Sequence, residues 1–237
     1  MLPIGKNQLT ITKQGYFDKT LDIDMPLNSV YETTVTLETS KVGELLNKAR
    51  DAIRNEQTED AIAILVEALK YGGSTKEKSE IYFLLGKTYF ATTQFEPALA
   101  YFEKAKASDD FAMLANIEIA RTQHALKNDA QALATIVAIL VNVDEKTPAD
   151  LRTSANTVFK DIAGLSSVIY VYSEPAGADV YLNDRKLAQV TPIIVSDLAL
   201  GTYRVTISKP GYDTYEARQA LKLGEFVMVK VKLKKSP

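Results

Sequence analysis

The apolar residues of this chain change their spacing twice, and the two changes divide it into three parts. Between residues 7 and 37 they alternate: Leu9 and Ile11 with Gln8, Thr10 and Thr12, Leu21 and Ile23 with Asp22 and Asp24, Val35 and Leu37 with Thr34 and Thr36. A period of two places one set of side chains on one face of a strand. Gly15 and Pro26 punctuate these runs. From Val42 to about Ala163 the period is helical, with breaks at Gly72 and Gly73, Thr92 and Thr93, residues 108–110, Asn128 and Asp129, and Thr147 and Pro148. Thr147 is the expected N-cap there, with Pro148 at the first helical position, where its missing N–H costs nothing. After Gly164 the alternation returns, in residues 168–172, 179–182, 203–207 and 226–233. The order is β, α, β, and the fold class is α+β.

Composition narrows what such a chain does. With 237 residues, 46% of them hydrophobic, there is material for one or two packed cores. Lys+Arg (28) and Asp+Glu (30) nearly cancel to a formal net charge of −2. No global positive field favours nucleic acid, so no nucleic-acid partner is expected. The absence of cysteine removes disulfides, thiolate nucleophiles and Cys-containing zinc sites together. The longest apolar run, residues 133–143, is interrupted by Thr135 and Asn142 and falls far short of the roughly 20 residues of a membrane span, so none is expected. Residues 1–5 lack the basic stretch and apolar run of a secretion signal.

Two internal repeats organise the chain. One constant offset lays Gly5 on Gly201 and Gly15 on Gly211, then Lys13 on Lys209, Tyr16 on Tyr212, and Val35 and Leu37 on Val231 and Leu233 without a gap. The second repeat is helical. Counting from Ser79 in a unit of 34, Tyr82, Leu85, Gly86, Tyr89, Ala98, Phe102 and Ala105 alternate large and small, as two helices in close contact require. A following unit from Met113 has Ala120, Ala132 and Ile136. A preceding one from Val42 has Ala49, Ala61, Leu65 and Ala68, with an insertion at residues 71–74.

The helical pattern resembles the tetratricopeptide (TPR) repeat. It implies three helix pairs, with residues 148–162 as a capping helix, stacked as a solenoid. Residues Glu174, Pro175, Ala176, Gly177 and Ala178, followed by Asn183, Asp184, Thr191, Pro192, Gly201, Lys209, Pro210, Gly211 and Tyr212, resemble the PEGA domain. Asp184 stands where glycine is usual, and a turn tolerates it. The resemblance implies a small β-sandwich, common in bacterial surface and envelope proteins, with no catalytic residues to carry over. The N-terminal copy has only the second half of the pattern. Its apolar face, at about 1.5–3 kcal/mol per side chain, leaves on the order of 10 kcal/mol to be covered. We expect the sequence to begin mid-domain and the half to pack on the helices or on another chain. The expected division is a partial PEGA-like segment at 1–40, three TPR-like pairs with a capping helix at 41–164, and a PEGA sandwich at 165–237.

Candidates for chemistry are few. His124 is the sole histidine, no serine elbow or phosphate loop is present, and no catalytic residue, metal site or cofactor is expected. Gly72 and Gly73 read as a helix stop, and Asp109 and Asp110 as acids at a helix start. The chain is read as non-enzymatic. The informative set lies on the first helix of each pair. Arg50, Lys87 and Arg121 share the ninth repeat position, flanked at helical spacing by Leu46, Phe83, Phe90, Ile117 and His124, with Arg54 extending the row. Three readings remain: a basic ladder binding an acidic or C-terminal carboxylate-bearing peptide, a solvated face, or a groove filled by the chain's own β segments. Lys230, Lys232 and Lys234 read as guards of an exposed strand. The tyrosines at 170, 172, 181, 203, 212 and 215 read as packing, or as a carbohydrate platform.

The function expected is therefore a non-catalytic interaction scaffold of the bacterial cell envelope. Its partner is a protein or an acidic or C-terminal peptide, and self-association through the incomplete N-terminal segment is a further partner expectation. The alternative is a module binding cell-wall or surface polysaccharide through the C-terminal sandwich. The envelope location rests on the PEGA resemblance alone.

Overall fold

The computed structural model describes residues 4–13, 15–26 and 30–236. Two strands, β1 (Gly5–Ile11) and β2 (Lys19–Met25), precede seven helices. These are α1 (Lys41–Arg54), α2 (Thr58–Lys70), α3 (Thr75–Ala91), α4 (Phe95–Ala105), α5 (Asp109–Ala125), α6 (Asp129–Leu140) and α7 (Ala149–Ala163). Strands β3 (Ser167–Glu174), β4 (Asp179–Leu182), β5 (Arg185–Val190), β6 (Ile193–Leu198), β7 (Gly201–Ser208), β8 (Tyr215–Leu221) and β9 (Phe226–Lys232) complete the chain. Contacts divide it into two compact units, one ending at Ala115 and one beginning at Asn116, within α5.

The helices start and stop for local reasons. Ser40 caps α1, its hydroxyl accepting from the N–H of Gly43 at 3.0 Å. Ser74 opens α3 in a reciprocal capping box: its Oγ accepts from Glu77 N at 3.2 Å, and the Glu77 carboxylate accepts from Ser74 N at 2.8 Å. Gly72 and Gly73, both at positive φ, end α2 just before it. The turns at the ends of α1, α3 and α5 share one design. Glu56, Thr93 and Lys127 adopt left-handed φ of 59°, 59° and 65°. The next residue's N–H bonds back to Ala52, Tyr89 and Gln123 respectively. This is the six-to-one closure that ends a helix and reverses the chain. Its recurrence after every first helix of a pair marks three like hairpins. At α7 the expectation shifts by one residue. Pro148, with ψ 137°, is the N-cap and Ala149 begins the helix, because the Thr147 hydroxyl is engaged in a turn with Asp144.

In the first unit α1 packs on α2 and α3, and α3 on α4. Gly86 lets α3 and α4 close up, since a Cβ there would stand 2.6 Å from two ring carbons of Phe102. Tyr101 stacks on Tyr89 and Tyr82, with centroids 5.4 and 6.2 Å apart, and Lys104 lies over Tyr101 and Tyr82. Burial, then the neighbouring phenols of Tyr89 and Tyr82, raises the Tyr101 pKa above its ordinary value.

In the second unit α7 packs against α6, and Phe159 meets Phe226 edge-on at 5.6 Å. The C-terminal strands form two sheets, β6-β3-β9 and β5-β4-β7-β8. The core between them includes Ile169, Val171, Val180, Val205, Ile207 and Val229. Strand β9 runs parallel to β3 at the edge of its sheet, and Lys230 and Lys232 are exposed there. Asn183 and Asp184, both at positive φ, make the tight turn between β4 and β5. The Pro175 to Gly177 turn is pinned from inside. Ser173 Oγ donates to Pro175 O at 2.7 Å, Thr191 Oγ1 lies 2.6 Å from Ser173 Oγ, and Ala178 N donates to Thr191 Oγ1 at 3.0 Å. From outside, Lys209 Nζ reaches the carbonyls of Ala176 and Gly177 at 2.9 and 3.1 Å.

The offset that relates the two ends of the sequence holds bond for bond. Strand β1 pairs with β2 from Gly5↔Met25 to Ile11↔Lys19, and β7 with β8 from Gly201↔Leu221 to Ile207↔Tyr215. The bridge Tyr16↔Thr39 repeats as Tyr212↔Lys235. Phe17 N bonds Glu38 O at 2.8 Å, as Asp213 N bonds Lys234 O at 2.8 Å. One expectation fails: residues 34–37 alternate but form no strand. Their equivalents in β9 pair with β3, and among the described residues the N-terminal half has no counterpart of β3.

Candidate functional site

The face of α1 carrying Gly43, Leu46, Asn47 and Arg50 follows from their helical spacing. Part of it is already occupied by the chain. Gly15, in the turn after β1, packs so closely on Gly43 that a Cβ at Gly43 would stand 2.0 Å from the Gly15 carbonyl oxygen. Gly15 N also donates to Glu77 Oε1 at 3.3 Å. Lys13, Gly15 and Tyr16 share a cavity of about 250 Å³ with Leu46, Asn47 and Arg50. The turn after β1 thus lies against this face of α1.

Arg50 is not an open cation. It forms an ion pair and hydrogen bond with Glu80 of α3 and donates to Asn47 Oδ1 at 2.8 Å. Glu80 is 8% exposed, and it occupies the same face of α3 as Phe83 and Lys87. Arg54 pairs with Asp51 at 3.0 Å on the solvent-exposed surface, where such pairs contribute little. Leu46 is 1% exposed and belongs to the core shared with Leu65, Ile81 and Leu85, so it packs the hairpins and presents no contact surface.

On α3 the arrangement is different. Phe83 is half-buried against Phe102 and Phe111, at 5.7 and 5.8 Å, and Phe90 against Phe95 at 5.2 Å. Lys87 lies between them on that face, is exposed, and among the described residues forms no ion pair.

The remaining candidates belong to the second unit. Ile117 is 1% exposed and serves as core. Arg121 Nε lies 3.3 Å from the Glu118 carboxylate, one turn earlier on α5. His124 Nδ1 lies 2.6 Å from Asp129 Oδ1, tying the end of α5 to the start of α6. The stack of bare cations expected along the ninth positions therefore reduces to Lys87, because Arg50 and Arg121 each have a carboxylate beside them. Sequence reasoning missed Glu80. Its place on the face of Phe83 and Lys87 was visible from helical spacing, but its pairing with Arg50 on another helix was not.

The other features carry less chemistry. Tyr203, Tyr212 and Tyr215 are partly buried against the sandwich core, and Tyr203 Oη donates to Ala199 O at 3.0 Å. Among the described residues no group of three His, Cys, Asp or Glu side chains could hold a metal ion, and no helix is long and apolar enough to cross a membrane.

Comparison with known proteins gives matches to parts of the chain. Residues 166–237 match the family model of the PEGA domain. Two solved structures resemble the helical part. One, described as the TPR2B-domain:pHsp70-complex of yeast Sti1, shares 20% identity at a TM-score of 0.46, over 52% of this chain and 95% of that one. The other is YrrB, described as a TPR protein with an unusual peptide-binding site. It shares 16% identity at a TM-score of 0.40, over 51% of this chain and 60% of that one. No protein of curated function is significantly similar in sequence. The chain therefore combines α-helical hairpins with a C-terminal segment, residues 166–237, that matches the PEGA domain.

Proposed function

We propose that the chain is a non-catalytic interaction scaffold of the bacterial cell envelope, and that it takes a partner polypeptide on the face of α3 bearing Phe83, Lys87 and Phe90. One observation carries the reading: Lys87 is exposed and without an ion pair among the described residues, while half-buried aromatic rings flank it on the same helical face. A cation beside partly apolar surface suits a carboxylate attached to an apolar residue, as at a peptide C-terminus or an acidic side chain next to a hydrophobic one. The Glu80 carboxylate already satisfies Arg50 and gives the α1 side of this face no net attraction for anions. The proposed site is thus one cation with apolar flanks, not a basic ladder. The envelope location follows from the kind of protein in which PEGA domains occur, and the β parts at 1–40 and 165–237 would then position the helical part at 41–164.

The test is selection of C-terminal peptides from a displayed library on the intact chain, followed by binding to a Lys87→Glu variant with unchanged circular dichroism. Charge reversal at this site should weaken selected acidic peptides at least tenfold. Equal binding by both chains would reject the site.

A further inference from the structure

The N-terminal half repeats the second half of the C-terminal sandwich, and the complete copy shows what lies on the equivalent surfaces. In that copy β3 runs parallel to β9, from Val168↔Phe226 to Glu174↔Lys232, and β4 runs antiparallel to β7, from Asp179↔Ser208 to Leu182↔Val205. Under the offset that lays Gly5 on Gly201, the same two edges fall at positions 30–36 and 9–12. Among the described residues no backbone N–H of residues 30–36 has a hydrogen-bond partner. Val205 and Ile207 are 0% exposed, whereas their equivalent Leu9 is 37% exposed and Ile11 is half-buried; Val30 is 86% exposed. Lys13 is the equivalent of Lys209. Lys209 holds the carbonyls of Ala176 and Gly177, while Lys13, lacking such a turn to grip, lies 4.4 Å from the centre of the Tyr16 ring.

We propose that the N-terminal half is a docking surface for a strand-donating polypeptide segment patterned like residues 167–182. Its first strand runs parallel to residues 30–36 and supplies the missing ladder. Its second runs antiparallel to residues 9–12 and covers Leu9 and Ile11. The turn between them presents carbonyls to Lys13. The interface is of a kind this chain already contains once, joining the two halves of its C-terminal sandwich, and strand addition of this type draws affinity from backbone bonds and specificity from alternate side chains. A second copy of the chain is not a ready donor, because its β3 and β4 are already paired with β9 and β7. The proposal does not depend on the α3 site.

The test adds a synthetic peptide of residues 166–199 to the intact chain and follows backbone amide exchange. A control peptide carries Tyr170→Pro and Tyr181→Pro, which remove donors on the edges that face β9 and β7 in the complete copy. At ten times its dissociation constant the peptide should slow exchange at alternate amides of residues 30–36 about tenfold. Leu9→Asp with Ile11→Asp should abolish that slowing, and Lys13→Met should weaken it, while exchange in β9 stays unchanged and reports a folded chain. No slowing at residues 30–36, equal slowing by the control peptide, or amides there already slow in a self-associated chain would overturn the proposal.

Discussion

Replacing Gly43 by alanine sets two local effects against each other, and the structure decides between them. Within α1 the change is favourable, since alanine is preferred over glycine by about 1 kcal/mol in a helix. Against it stands the Gly15 backbone. The new Cβ would meet the Gly15 carbonyl oxygen at 2.0 Å and its Cα at 2.6 Å, where ordinary van der Waals contact begins at 3.4 Å. Backbone on both sides leaves no rotamer to relieve this, so turn and helix must move apart until the difference between those distances is made up. The same carbonyl accepts from Ser40 N at 2.8 Å, and Gly15 N bonds Glu77. Losing these at roughly 0.5–1.5 kcal/mol each matches or exceeds the helical gain. Amide exchange read by mass spectrometry should therefore be about tenfold faster over residues 15–25 and at Ser40, with α1 itself unchanged or slower. Faster exchange throughout α1, or unchanged exchange at residues 15–25, would refute the contact.

Further changes separate the remaining parts of the account. Gly86→Ala forces a Cβ into the Phe102 ring and should destabilise the α3/α4 hairpin by about 1–2 kcal/mol net, overpacking outweighing helix propensity, as measured by local exchange. Thr191→Val leaves Ala178 N without its acceptor and breaks the contact with Ser173, so the stability of the C-terminal sandwich, measured by thermal unfolding, should fall by about 1–3 kcal/mol. The Tyr101 phenol is raised above its ordinary value by burial, so the folded state keeps its proton longer than the unfolded state. The resulting stability is present below about pH 10 and is lost as pH rises through the folded-state value. Alkaline titration followed by circular dichroism should show loss of helix above that pH, and Tyr101→Phe should lessen it.

What the sequence revealed and what it hid follow a physical line. The hairpins were legible because their determinants are local or at fixed spacing: Gly86 against Phe102, the small residues Ala49, Ala61 and Ala98, and glycines ending α2. The repeat between the two ends of the chain was legible because it matches like with like, and the strand registers repeat under it. Residues 34–37 were misread as a strand because alternation describes side chains, whereas a strand also needs a neighbour for its backbone. The candidate face was half legible. Repeat position placed Arg50, Lys87 and Arg121 on like faces, but partners decide whether a cation is available, and Glu80 reaches Arg50 across helices. Leu46 and Ile117 show the complementary limit, since facing the right way along a helix does not distinguish the rim of a contact surface from the core beneath it.

The central claim, that the helical hairpins receive a partner polypeptide at Lys87, is tested most directly by nuclear magnetic resonance of the labelled intact chain with a selected carboxylate-terminated peptide. The account predicts shifts centred on Phe83, Lys87 and Phe90, saturating at one peptide per chain and abolished by Lys87→Glu. Shifts confined to residues 166–237, or shifts at α3 that survive the charge reversal, would contradict it.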